Sequence, residues 1–170
     1  MSEADAAAAV DAYIALGGNQ GPVRETLERA IEALSRLPET RLARRSAFYR
    51  TPAWGLADQP DFINAVVQLE TRLAPEALLE AMLGIERGLG RERDADGLRW
   101  GPRGVDLDLL LHDDAVMDTP GLGLPHPRLH ERAFVLVPLA EIAPWVLVPR
   151  RGRARDLLAT VDVSGIEAIP

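Results

Sequence analysis

The run Val105-Asp106-Leu107-Asp108-Leu109-Leu110-Leu111 is apolar apart from two carboxylates set two residues apart. A short stretch of this kind, with no Gly or Pro inside it, reads as a strand. It completes a pattern that begins far upstream. Ala12 to Leu16 is an apolar run closed by Gly17-Gly18-Asn19, a buried strand entering a turn. Pro22 suits a first helical position, and Val23, Leu27, Ala30, Ile31, Leu34 and Leu37 then recur at helical spacing until Pro38. Arg41 to Tyr49 reads as an edge strand, and 51–60 as a loop. Phe62 to Leu69 is a clearer strand, with Ile63, Ala65, Val67 and Leu69 on one face and Phe62, Asn64, Val66 and Gln68 on the other. Pro75 opens a second helix striped by Leu78, Met82, Ile85 and Leu89. Gly88 to Arg103 is rich in glycine and charge without a period, and reads as a loop. With 105–111 the order is βαββαβ, the split-βαβ pattern of ferredoxin-like folds.

The C-terminal part adds a proline-bounded loop at Leu124–Pro127, an apolar helix near Arg132–Ile142 and a short helix around Ala154–Val161. The expected fold is therefore α+β: a ferredoxin-like core with a mostly antiparallel sheet and extra C-terminal helices. One domain is expected over residues 1–170, with 1–10 as a disordered tail. No disulfide framework, thiolate metal site or cysteine nucleophile is available, because the chain has no Cys. All 19 basic residues are Arg, which excludes a P-loop lysine, a Schiff base and a Ser–Lys dyad. A net charge of −7 argues against sequence-independent nucleic-acid binding, which runs on neutralising phosphates. The first ten residues carry Glu3 and Asp5 and no basic segment, so they do not read as a signal peptide. Phe134 to Ile142 is the longest apolar stretch and is far short of a membrane span. A cytoplasmic monomer with small-molecule partners, bound to neither nucleic acid nor membrane, is the expectation.

Chemistry concentrates in three places. Asp106 and Asp108 alternate with Val105, Leu107, Leu109 and Leu111, so the carboxylates share one face, roughly 7 Å apart, while the apolar residues face the core. Paired carboxylates on such a strand repel each other, and a hard cation such as Mg²⁺ relieves that repulsion. The plainer alternative is a polar strand face meeting water. Arg91, Arg93, Arg99 and Arg103 precede the pair closely. Guanidinium groups bind phosphates bidentately, so cations beside a dicarboxylate look like a triphosphate clamp; the alternative is a solvated loop pairing with Glu92, Asp94 and Asp96. Phe62 and Asn64 place an aromatic plane beside an amide, which suits a flat heterocycle with donor and acceptor edges. His126 is held between Pro125 and Pro127, with Arg132 close behind; by itself such a histidine is as well explained by structure. Arg150, Arg151, Arg153 and Arg155 read as a solvated face.

Together these pieces resemble the 6-hydroxymethyl-7,8-dihydropterin pyrophosphokinase family. The most specific block is Arg99-Trp-Gly-Pro-Arg-Gly-Val-Asp-Leu-Asp-Leu-Leu110. Tyr13-Ile-Ala-Leu-Gly-Gly-Asn19, Phe48-Tyr-Arg-Thr-Pro52, Asp58-Gln-Pro-Asp-Phe-Ile-Asn64, Ile85-Glu86 with Gly90-Arg91, and Pro125-His126 with Arg132-Ala-Phe134 agree in order and spacing. The resemblance implies transfer of the β,γ-diphosphate of ATP to the pterin hydroxymethyl group, with release of AMP, in folate biosynthesis. It implies that Asp106 and Asp108 hold two Mg²⁺ ions and act in catalysis with Arg91 and Arg103. Arg93, Arg99, Trp100, His126 and Arg132 would bind ATP. Thr51, Pro52, Phe62, Asn64 and Phe134 would line the pterin pocket. Two other readings stay open on the residues alone. One is a different two-metal phosphotransferase, which leaves Phe62 and Asn64 unexplained. The other is a ferredoxin-like binding module, which the acidic balance disfavours.

Overall fold

The computed structural model describes residues 8–52, 60–95 and 105–170, with backbone alone for 91–95. Alternation in two apolar strands sets the architecture. β1 (Val10–Gly18) sends Ala12, Ile14 and Leu16 to one side and Tyr13 and Ala15 to the other. α1 (Val23–Ser35) follows, and then β2 (Thr40–Arg45) and β3 (Phe48–Thr51). β4 (Phe62–Thr71) divides as β1 does, with Ala65, Val67 and Leu69 in one core and Val66 in the other. β1 and β4 pair antiparallel from Val10 opposite Thr71 to Gly18 opposite Ile63. Both faces of this sheet are apolar, so each needs a helical layer.

α1 and α2 (Pro75–Ala95) supply the first layer through Leu27, Leu34, Leu78 and Met82. β5 (Asp106–His112) then pairs with the free side of β1. Beyond it lie a hairpin of β6 (Met117–Thr119) and β7 (Leu122–Leu124), and α3 (Ala133–Ile142). α3 packs on the second face through Val135, Leu136 and Leu139. A second hairpin, β8 (Leu147–Val148) with β9 (Gly152–Arg153), leads to α4 (Ala154–Leu158) and finally β10 (Glu167–Ile169). The strand order is β10-β3-β4-β1-β5, with β2 also on β4 and every pair antiparallel. Its core is the ferredoxin-like arrangement expected from the sequence. Among the described residues no helix is long and apolar enough to cross a membrane.

Several local expectations are corrected. The single strand expected at Arg41–Tyr49 is two strands. Ser46 donates its N–H to the Val66 carbonyl (2.9 Å) while its Oγ accepts the Val66 N–H (3.0 Å), so a side chain replaces one rung of the ladder. Pro22 stands one position ahead of α1, at its N-cap. β1 begins at Val10, the last residue of the expected tail. β5 carries a bulge: Tyr13 lies opposite Leu111 and Ile14 opposite Leu109, so Leu110 is skipped. Leu111 therefore joins Leu110 in the core under α3, and not Leu107 and Leu109 on the other face. β10, which adds a strand to β3, has no counterpart in the sequence reading.

The largest correction concerns α2, which continues into the glycine-rich segment as far as Ala95. Arg91 and Arg93 thus belong to its last turns and not to a loop. Buried Leu89 anchors this part of the helix, and the Glu86 carboxylate accepts the Leu107 N–H at 2.8 Å. Such contacts outweigh the cost of about 1 kcal/mol that each interior glycine imposes. Gly84 is exposed, and a Cβ there would meet nothing within 4 Å. Gly84→Ala should therefore raise stability by about 0.5–1 kcal/mol, read as a higher urea midpoint at unchanged slope.

Candidate active site

The strand register builds the floor of a cleft. Asn64, Gly17 and Asp106 stand side by side across β4, β1 and β5, and Val66, Ala15 and Asp108 form the next such row. Opposed residues share a face and alternate residues repeat it. The two carboxylates, the amide and the Phe62 ring therefore lie on the α3 side of the sheet. Gly17 and Ala15, between them, keep the floor low. Over it opens a cleft of about 810 Å³, walled by Thr51, Pro52 and Phe62 on one side and by Arg132 and Phe134 on the other. Asp106 is exposed and Asp108 half-buried.

Asn64 is 8% exposed and donates from Nδ2 to Thr51 Oγ1 at 3.0 Å; Thr51 is 2% exposed. Asn64 Oδ1 faces Gly17, where a Cβ would come within 2.6 Å of it. Only glycine allows the amide to stand there. With Nδ2 held by Thr51, Oδ1 accepts no hydrogen bond from a described residue and is open to a ligand donor.

His126 is half-buried and is not among the residues lining the cleft, but it is near enough to Asp108, Arg128 and Arg132 to feel their charges. Its N–H donates to the Leu110 carbonyl (2.9 Å), and its Nδ1 accepts the Arg128 N–H (3.2 Å). A neutral ring with Nδ1 accepting carries its proton on Nε2. Burial lowers its pKa below the usual imidazole value; Asp108 opposes that shift, while Arg132 and Arg128 reinforce it. The Arg132 guanidinium lies over the Phe134 ring, 5.7 Å from its centroid.

The structure thus brings Thr51, Pro52, Phe62, Asn64, Asp106, Asp108, Arg132 and Phe134 around one cleft. Arg99, Trp100 and Arg103 lie outside the described residues, as do the side chains of Arg91 and Arg93. The sequence reading missed Ala15 and Gly17 in the floor, and Arg128, Glu131, Val161 and Asp162 at the rim. Two small residues at i and i+2 of an apolar strand were a usable signal for the floor. Val161 and Asp162 come from the segment before β10 and had none. The Arg150–Arg155 cluster is exposed at all four arginines, with Arg153 donating to the Trp145 carbonyl at 2.7 Å.

No group of three or more His, Asp and Glu stands together among the described residues. A divalent ion on Asp106 and Asp108 would therefore complete its shell with water and phosphate oxygens. That is the usual Mg²⁺ arrangement in nucleotide sites, and the donor set fits it.

Because the folded chain resists protonating His126, the unfolded chain takes up that proton first as pH falls through the imidazole range. Folding stability contributed by this site is complete above that range and is lost below it. Between about pH 7.5 and about pH 5.5 the unfolding midpoint in urea should fall more for the parent than for His126→Gln, which cannot titrate. Parallel losses in the two proteins would show that this histidine carries no such linkage.

With the geometry in place, comparison with known proteins is direct. The sequence profile of the 7,8-dihydro-6-hydroxymethylpterin-pyrophosphokinase (HPPK) family matches residues 13–144. The 2-amino-4-hydroxy-6-hydroxymethyldihydropteridine pyrophosphokinase of Pseudomonas aeruginosa is 47% identical over 158 residues, covering 93% of this chain and 96% of that one. The enzyme of the same name from Methylorubrum extorquens is 48% identical over 158 residues, covering 93% and 98%. Among solved structures, wild-type HPPK-DHPS of Plasmodium falciparum shares the fold with a TM-score of 0.70 at 12% identity, over 89% of this chain and 44% of that one. The HPPK-DHPS solved in complex with substrates gives 0.68 at 12% identity, over 89% and 43%. This chain spans less than half of those longer chains. The match over most of its length, and the near-complete coverage of the bacterial relatives, establish that the chain belongs to the 7,8-dihydro-6-hydroxymethylpterin-pyrophosphokinase family.

Proposed function

We propose that this pyrophosphokinase transfers the β,γ-diphosphate of ATP to the hydroxymethyl group of 6-hydroxymethyl-7,8-dihydropterin and releases AMP. The observation that carries the reading is one cleft holding an aromatic–amide pocket, a carboxylate pair and a guanidinium. A planar heterocycle between Phe62 and Phe134 would present its ring donors to Asn64 Oδ1. Thr51 fixes the amide so that this acceptor needs no reorientation on binding. Gly17 and Ala15 leave the route from this pocket to Asp106 and Asp108 unobstructed across a single strand.

Asp106 and Asp108 would hold the Mg²⁺, two ions by family resemblance. Bound there, Mg²⁺ supplies neutralisation of the triphosphate charge. Arg132 would bind phosphate oxygens, and His126 would donate from Nε2 as a neutral ring. The pterin hydroxyl oxygen attacks the β-phosphorus and loses its proton as the bond from that phosphorus to the α-phosphate bridging oxygen breaks. Such transfer asks little covalent work of the protein and depends on positioning and charge, so we assign a direct in-line transfer with no covalent enzyme intermediate. Arg91 and Arg103 are proposed as further catalytic groups and Arg93, Arg99 and Trp100 as nucleotide contacts, on the matching motifs. The enzyme would act as a cytoplasmic monomer on these two small substrates.

Incubation with ATP, Mg²⁺ and the reduced pterin alcohol should yield AMP; ADP as product would make it an ordinary kinase. Asp108→Asn should lower turnover roughly 10²–10³-fold with the fold intact, by analogy with losing one preorganised charge stabiliser. Activity within tenfold of the parent would remove Asp108 from the metal site. Gly17→Ala should displace the Asn64 amide and weaken pterin binding about tenfold or more, leaving ATP binding unchanged. Calorimetry showing equal losses for both ligands would mean that the substitution disturbs the sheet as a whole.

A further inference from the structure

Arg128 lies in the wall of the cleft, and neither the motif analysis nor the family resemblance gives it a role. Its backbone is closely held. Pro127 precedes it and fully buried Leu129 follows. Its N–H donates to His126 Nδ1 at 3.2 Å, and its carbonyl accepts the Glu131 N–H at 3.0 Å. The guanidinium, by contrast, is exposed and makes no hydrogen bond, ion pair or ring contact with a described residue. Exposed Arg36 pairs with Glu32, Arg41 with Glu70 and Arg45 with Glu28, whereas exposed Arg50, Arg72, Arg87, Arg150 and Arg151 also lack a side-chain partner among the described residues; Arg128 differs from these in lining the cleft. Arg132 is stacked on Phe134. Glu131, at the same rim, lies 3.7 Å from His130 Nε2 and forms no ion pair with Arg128 or Arg132.

The cleft wall opposite the sheet therefore carries two guanidinium groups with no described carboxylate paired to either. Both are close enough to His126 to depress its proton affinity. Like charges gathered at one wall repel each other, and that repulsion becomes attraction once a polyanion enters. A guanidinium presents parallel N–H donors that match two phosphate oxygens at once.

We propose that Arg128 is a further polyphosphate-binding residue, its guanidinium gripping the nucleoside triphosphate beside Arg132 while its backbone N–H keeps His126 in the tautomer that donates from Nε2. The nature of the anion rests on the function proposed above. Because the backbone around Arg128 is pinned in the free protein, the contact forms on binding and persists through the reaction. It therefore contributes to ATP affinity more than to turnover.

The test uses the full chain and α,β-methylene-ATP with Mg²⁺ as the probe, followed by calorimetry. Arg128→Gln should weaken probe binding about 10–100-fold and raise the KM for ATP, with kcat within about threefold of the parent. Affinity for the pterin alcohol alone should be unchanged. At alkaline pH, where the His126 ring is neutral in both proteins, its imidazole ¹⁵N shifts should also hold, since the backbone N–H survives. Arg128→Lys should recover part of the affinity through its charge, without the paired donors. Probe affinity within twofold of the parent overturns the proposal, as does a joint loss of both ligands with a lower Tm. Should the parent bind the probe but make no AMP, a loss on Arg128→Gln would keep the anion site and reject the reaction. A parent that does not bind the probe rejects both.

Discussion

The pairing of β1 with β4 on one side and β5 on the other is the constraint on which the rest depends. It places Asn64 and Asp106 on either side of Gly17, and Val66 and Asp108 on either side of Ala15. The same strand buries Ile14 and Leu16 beneath the sheet, so its register cannot slip by one residue without exposing the core. Site geometry and core packing are thus fixed by one hydrogen-bond ladder. A Cβ at Gly17 would press on Asn64 Oδ1, which ties the smallest residue of the floor to the amide acceptor of the cleft.

The two walls of the cleft differ in chemistry. The sheet contributes carboxylates and a buried amide held by Thr51. The segment leading into α3 contributes Arg128 and Arg132, with Glu131 between them in sequence and His126 near both arginines. On the function proposed above, a triphosphate between them would meet guanidinium donors on one side and would need a cation between itself and the carboxylates on the other. Phe62 and the buried amide stand on the β3–β4 side of this arrangement, and Phe134 stands across the cleft with the Arg132 guanidinium over its ring. Charged groups and aromatic faces thus line one cleft, a combination that suits one polyanion and one flat ring.

The α3 helix is held in register with the sheet by polar contacts as well as by its core. Glu141 accepts from the Ala47 N–H (3.1 Å) and from the Tyr49 hydroxyl (2.5 Å). Burial, with the Glu141 carboxylate beside it, raises the Tyr49 pKa, so that hydroxyl remains a donor. These bonds fall where the sheet edge breaks at Ser46, and they fix β3, and with it Thr51, against the helix that carries Phe134.

Much of this was legible in the chain itself. Period-two alternation in 62–69 assigned Phe62 and Asn64 to one face, and the spacing of Asp106 and Asp108 did the same for the carboxylates, because strand geometry is local and rigid. The order of strands and helices followed from the same periodicities, and the family from motifs in register. Tertiary structure decided what depends on contacts between distant segments. It carried α2 through three glycines on the strength of Leu89 and Glu86, moved Leu111 to the opposite core through a bulge, and replaced a rung of the ladder with the Ser46 hydroxyl. It also brought Val161 and Asp162 to the cleft behind a strand that pairs with β3. Local spacing determines which way a side chain points. What it then meets depends on the free energy of packing against residues far away in the chain, and no short window of sequence contains those partners.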